Sequence, residues 1–193
     1  MNGLELIAKN ISRIITLTDA EQEGFFSILE SKKVKKKQQI HSDGEICNCI
    51  NFVVKGCFRL YNTDEKGVEH VVQFASEDWW IGDVASFITQ SPGVFNIDSI
   101  ESSEILRISK SSIDKLYVDI PKFERYFRVL AENTYIGYQR RTYYNIGSSA
   151  TDRYLHFKKA YPGFIKRVPQ SQVASYLGVT PEFLSKLKKS LGE

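Results

Sequence analysis

VPQSQVASYLGVTPEFLSKLKKSL, residues 168–191, decides how the rest of this chain is read. Val173, Ala174 and Leu177 recur at helical spacing, and Gly178 follows where a helix ends on a left-handed residue that glycine adopts without strain. Two residues on, Thr180 is a good N-cap. Pro181 suits the first helical position, because its φ is already set and its missing N–H has no intrahelical partner there. Leu184, Leu187 and Leu191 give the second helix one apolar face, while Glu182, Ser185, Lys186, Lys188 and Lys189 occupy the other. Two short helices joined by a Gly-containing turn, the second one basic, have the geometry that enters a major groove. A generic helical hairpin shares this periodicity. Small Ala174, which lets the helices approach, and Val179, which can fill the wedge between them, tilt the reading towards DNA.

The whole chain is compatible with that reading. Its 193 residues leave room for a domain with a real core and a smaller second one. Composition is ordinary for a soluble protein, with 42% apolar and 25% charged residues. No apolar run approaches a membrane span, and the N-terminal MNGLELIAKNISRII lacks the basic stretch, apolar core and cleavage site of a signal peptide. The expectation is a cytoplasmic protein without a membrane partner. Net charge is only +3, but its distribution is uneven. From Thr151 to Glu193 eight Lys/Arg face three acids, a local +5, so the remainder sums to about −2. The basic end coincides with the helix-turn-helix, as contact with phosphates requires. A second basic run, KVKKKQQ at 33–39, alternates Val34, Lys36, Gln38 and Ile40 against Lys35, Lys37 and Gln39. It reads as a half-exposed edge strand kept soluble by lysines.

Three cysteines, Cys47, Cys49 and Cys57, are an odd number and argue against a disulfide framework. Cys47 and Cys49 share one strand face, yet no convincing fourth ligand accompanies them, and His41, His70 and His156 show no ligand spacing. The thiols are therefore expected to be structural, with no metal site and no catalytic constellation.

Apolar residues at 4, 6, 7, 11, 14 and 15 predict a first helix, and the Thr18–Glu21 capping box predicts a second with Phe25, Phe26, Ile28 and Leu29 inside. From Val34 the period changes to two. Strands are expected at Val34–Ile40, Ile46–Val54, Cys57–Asn62, Glu69–Ala75, Asn96–Ser102 and Glu104–Ser109, separated by SDGE, KG and NTDEKG turns. Short strands at this spacing indicate an antiparallel roll or jelly roll. A short helix at Ser111–Tyr117 precedes a long one opened by Pro121, whose Phe123, Tyr126, Phe127, Leu130, Tyr135, Ile136 and Tyr138 form a broad stripe. That much aromatic surface needs either the sheet domain or a second copy of the helix. Gly147–Ala150 is a natural hinge, and a helix at Thr151–Tyr161 leads through Pro162-Gly163 to the opening motif. The fold class is α+β: an N-terminal roll over residues 1–120, a long dimerisation helix over 121–146 and a helix-turn-helix domain over 147–193.

Roll, long helix, hinge and helix-turn-helix, in that order, resemble the Crp/Fnr family of transcription regulators. The stretch NFVVKGCFRLYNTDEKGVEHVVQFASEDWWIGD at 51–83 and the 168–191 motif carry the resemblance. It implies a homodimer through the 121–146 helix, double-stranded DNA as partner, and RNA polymerase as a further one. It also implies an effector pocket at Gly82, Asp83, Phe95, Tyr138 and Gln139, and DNA contacts from Gln170, Ser171, Thr180, Pro181, Glu182, Ser185, Lys186 and Lys189. Two departures stand out. The family's phosphate cassette is a Gly-Glu followed by an Arg about ten residues on, whereas this chain has Gly82-Asp83 and then Gly93, with no Lys or Arg between Trp80 and Arg107. Cyclic AMP is therefore not expected as ligand, since a buried phosphate needs a cationic partner. The recognition helix has Pro181, Glu182 and Lys186 where the family reads bases with Arg, Glu and Arg, and the chain ends without the family's wing. Trp79, Trp80, Phe87, Phe95 and Tyr138 line an apolar effector pocket or fill the roll. The rival reading is an effector-sensing module whose degenerate helix-turn-helix meets a protein; a cupin-type enzyme comes last.

Overall fold

The computed structural model describes residues 2–193. Two helices open the chain, α1 (Gly3–Ser12) and α2 (Asp19–Ser27). Each begins with a capping box, Asn2 with Glu5 and Thr18 with Glu21, so four otherwise orphaned N–H groups find partners. Eight strands follow: β1 (Glu30–Val34), β2 (Gln39–His41), β3 (Cys49–Lys55), β4 (Phe58–Thr63), β5 (Glu69–Ala75), β6 (Trp80–Ile81), β7 (Asn96–Ser99) and β8 (Ser103–Ser109), with α3 (Val84–Thr89) between β6 and β7. They form two four-stranded sheets, ordered β1-β8-β3-β6 and β2-β7-β4-β5. The first sheet is fixed by antiparallel pairing of β8 with both β1 (Glu30 opposite Arg107) and β3 (Phe52 opposite Leu106). Helices α4 (Lys110–Asp119), α5 (Lys122–Gly147), α6 (Ala150–Ala160), α7 (Pro162–Arg167), α8 (Gln170–Leu177) and α9 (Pro181–Ser190) complete the chain.

Two compact units result, Met1–Leu60 with Phe74–Glu132, and Tyr61–Gln73 with Asn133–Glu193. The core of the first joins Ile7 and Ile11 of α1, Phe25 of α2, Phe52 of β3, Leu106 and Ile108 of β8, Leu116 of α4, and Phe123 and Tyr126 of α5. Phe25 and Phe123 stack with ring centroids 4.6 Å apart. A polar chain runs through it: Trp80 Nε1 donates to the Tyr126 hydroxyl at 2.9 Å, which donates to Asn10 Oδ1 at 2.6 Å. Asn10 Nδ2 then donates to Asp78 Oδ1 at 2.8 Å. Gly56, in the KG turn, has φ +104, and a Cβ there would sit 2.5 Å from Ser103 Cβ, so this turn demands glycine on two counts.

Two expectations need correction. Val34–Ile40 is not one strand. Lys37 adopts φ 64, Gln38 N donates to Lys35 O at 3.0 Å, and Lys35 N donates to Gln38 Oε1 at 2.8 Å, so the lysines ride on a turn between two short strands. The Ile46–Val54 strand begins only at Cys49; Ile46 makes one isolated bridge to Pro92. Helices α3 and α7 lie where no helix was expected. Among the described residues, no helix is long and apolar enough to cross a membrane.

Candidate functional site

In the second unit, α8 and α9 meet through a turn whose bonds are all local. Gly178 takes φ 68, its N–H reaches Ser175 O at 3.1 Å, and Val179 N reaches Ala174 O at 3.0 Å, the paired bonds of a Schellman ending. Thr180 Oγ1 then accepts from Phe183 N at 3.2 Å and caps α9, with Pro181 in its first turn. Val173, Ala174, Leu177 and Leu184 are buried, so the two helices share one small core. Ala174 is wholly inaccessible, which fits the close approach its size permits. The apolar face fades along α9: Leu184 is buried, Leu187 half-buried, and Leu191 39% exposed.

The structure leaves the expected DNA contacts open to solvent. Gln170, Ser171, Thr180, Pro181, Glu182, Lys186 and Lys189 are exposed, and Ser185 is half-buried. Phe183, not anticipated, is 48% exposed in the first turn of α9. Its position off the Leu184–Leu187 stripe was the available signal. Charge is favourable too, because Lys188 and Lys189 close the helix at its negative end.

The same unit holds α8 through two polar clamps. Ser175 Oγ accepts from Val71 N at 2.9 Å and donates to Glu69 O at 2.6 Å. The Arg141 guanidinium donates to Val72 O, to Val71 O at 3.0 Å and to Tyr176 O at 2.9 Å, and lies 4.1 Å from the Tyr176 ring centroid. Arg153 Nε donates to Leu177 O at 3.1 Å. Backbone carbonyls at the end of α8 are thus gripped by arginines from α5 and α6. Burial pushes the Tyr176 phenol up to about 12.

In the first unit, the expected effector residues Gly82 and Asp83 sit at the start of α3. Asp83 is 2% exposed, and its carboxylate is committed: Oδ1 accepts from Ser86 N at 3.1 Å and Oδ2 from Val94 N at 3.3 Å. A Cβ on Gly93 would fall 2.4 Å from Asp83 Oδ2, so no side chain fits there. On Gly82 it would meet Ile50 Cγ2 at 2.9 Å. Arg59, buried in the roll, is spent on a two-pronged pair with Asp98 (Nε to Oδ1 and Nη2 to Oδ2, both 2.8 Å). Phe95 is half-buried, Phe87 is in the core, and Trp80 packs between Phe52 and Phe127 at 5.4 and 5.6 Å. Tyr138 and Gln139 belong to the second unit, where Tyr138 donates to Gln73 Oε1 at 3.3 Å. Cys47 and Cys57 are buried and Cys49 half-buried, and burial pushes the Cys47 thiol up. Among the described residues no three His, Cys, Asp or Glu side chains gather as a metal site.

Residues 31–119 match the family model of the cyclic nucleotide-binding domain. Over about nine tenths of its length the chain has the fold of Crp/Fnr-type regulators. It is similar to the c-di-GMP-responsive global regulator CLP of Xanthomonas campestris, with 15% identity, 91% of this chain and 92% of that chain covered, and a TM-score of 0.75. FixK2 from Bradyrhizobium japonicum is similar at 14% identity, covering 86% and 85%, with a TM-score of 0.74. CooA from Carboxydothermus hydrogenoformans is similar at 15% identity, covering 88% and 78%, with a TM-score of 0.67. At these identities the likeness is one of fold. A search of curated protein sequences finds no match.

Proposed function

We propose that this chain is a DNA-binding transcription regulator of the Crp/Fnr type, acting as a homodimer on a palindromic site and not answering to cyclic AMP. One observation carries the reading: a locally capped α8–Gly178–α9 hairpin whose second helix presents Glu182, Lys186 and Lys189 to solvent. Side chains on the first turns of such a helix reach base edges, where Lys186 can donate to a guanine and Glu182 can accept from a cytosine amine. Exposed Phe183 suits the methyl group of a thymine. Gln170, Ser171 and Thr180 are placed for phosphates. In this reading α5 supplies the dimer seam and residues 147–193 the DNA-binding domain.

The divergent roll supports the negative half of the proposal. Asp83 has given both oxygens to backbone N–H groups, Gly93 leaves no room for the family's arginine, and Arg59 is paired with Asp98. A cyclic phosphate placed there would be buried without a cation.

Selection of bound duplexes from a random DNA pool, followed by anisotropy titrations at several salt concentrations, tests the first half. A palindromic consensus bound with steep salt dependence is expected. No enrichment would favour the protein-binding alternative. Calorimetric titration with cyclic AMP and cyclic GMP tests the second half, where no micromolar binding is expected.

A further inference from the structure

The second unit contains a cavity of about 140 Å³ between α5, α6 and the end of α8, away from the DNA-facing side chains of α9. Its charged side chains are all basic, beside neutral Asn145 and three tyrosines. Arg140 and Arg141 of α5 and Arg153 and His156 of α6 line it, and no carboxylate does. Three of these groups have distinct states. Arg141 gives its terminal nitrogens to three carbonyls, but its Nε is buried without a partner. Arg153 is tied to Leu177 O and Ser148 O. Arg140 makes no hydrogen bond or ion pair among the described residues. Like charges gathered beside low-dielectric walls repel, and an anion between them relieves that repulsion.

The remaining wall is aromatic. The His156 ring lies on Tyr144 with centroids 4.1 Å apart, and Phe157 packs against Tyr161 and Tyr176 at 5.5 and 5.2 Å. Gly137 completes the lining from mid-helix, and a Cβ there would meet nothing within 4 Å. A glycine in a helix interior is disfavoured relative to alanine. Here it leaves open the space that a side chain would enter. A volume near this one, roughly 150 Å³, holds a single benzene ring.

We propose that this cavity binds a small aromatic anion, one flat ring bearing a carboxylate or phosphate. The ring lies between the Tyr144–His156 pair and the Phe157–Tyr176 wall, and the anionic group meets the Arg140 guanidinium, with Arg141 and Arg153 adding positive charge from the wall. The site is distinct from the roll's Gly82–Gly93 region, and it uses a face of α5 (Gly137, Arg141, Tyr144) different from the Tyr135–Ile146 face. It abuts Tyr176 and Leu177, whose carbonyls Arg141 and Arg153 hold, so an occupant sits directly against the helix that leads into the Gly178 turn.

Calorimetric titration of the full chain with benzoate and phenyl phosphate, beside neutral benzamide and inorganic phosphate, tests this. Both aryl anions are expected to bind, and benzamide and inorganic phosphate each to bind at least about tenfold more weakly, since each lacks half of the recognition. Removing Arg153 would also remove two backbone contacts, so the variants are Arg140→Gln and Gly137→Leu. Arg140→Gln should weaken phenyl phosphate by about tenfold or more. Gly137→Leu should abolish binding by filling the cavity, with helical circular dichroism and melting retained. Absence of aryl-anion binding up to millimolar concentration overturns the proposal. So does unchanged binding in a folded Gly137→Leu, or inorganic phosphate binding as well as phenyl phosphate. The readout is ligand binding alone, so failure to bind DNA leaves it unaffected.

Discussion

A single phenol, that of Tyr126, joins the first helix to the long one. It accepts from Trp80 and donates to Asn10, a residue only 6% exposed. Tyr126→Phe keeps the ring packing against Phe123 and Phe127 but removes the hydrogen bonds to Trp80 Nε1 and Asn10 Oδ1. It should therefore destabilise the protein by about 1–3 kcal/mol, read as a lower urea midpoint at unchanged slope. Tyr176 makes a pH-dependent contribution in the other unit. Burial raises its folded pKa to about 12 from an ordinary 10, disfavouring the phenolate. The stabilising contribution is complete below pH 10 and is lost as pH climbs through 12. Alkaline loss of helicity should set in within that window and move upward in Tyr176→Phe, followed by circular dichroism and phenolate absorbance. A transition unmoved by the substitution would assign it to other tyrosines.

At the scale of elements, what was legible in the sequence was what is decided locally. The α8–α9 hairpin could be read because Gly178, Thr180 and Pro181 set its turn and cap with bonds spanning five residues or fewer. The turn at Lys35–Gln38 could not, because part of its support comes from Lys37 N donating to Ser99 O, more than sixty residues away. Nor could α3: Asp83 reads as a variant ligand residue, and only the fold shows it to be that helix's N-cap and the neighbour of Gly93. The aromatic stripe of α5 divides in two, with Phe123 and Tyr126 buried while Tyr135 stays 67% exposed, a split that periodicity alone does not reveal. The hairpin itself gives a paired prediction. Thr180→Ala removes the cap of α9 and should cost about 1 kcal/mol of stability. Lys186→Ala should leave melting unchanged and weaken the selected duplex by about 1–3 kcal/mol in anisotropy titrations. Equal affinity for Lys186→Ala and the parent would remove Lys186 as a base reader.

For the whole molecule, the distal half of α5 is the surface on which the proposed dimer rests. The helix has 26 residues, yet only Phe123 and Tyr126 near its start are buried. Beyond them Tyr135, Gln139, Thr142 and Ile146 recur at three- and four-residue spacing, with Tyr135 and Ile146 exposed by 67% and 83% and Tyr143 by 70%. Such spacing makes one continuous seam, which a second copy of the same helix can cover about a two-fold axis. A two-fold dimer places two recognition helices on two half-sites and so matches a palindrome. Ile146→Asp puts a charge at the C-terminal end of that seam, on its most exposed apolar side chain, and leaves the cores of both units untouched. It should shift the mass measured by light scattering from dimer to monomer at micromolar concentration. It should also lower affinity for the palindrome by about a hundredfold, because the second half-site is no longer tethered to the first. Binding to an isolated half-site should not change. A parent chain that is monomeric under the same conditions, or an Ile146→Asp variant that stays dimeric, would place the dimer contact elsewhere.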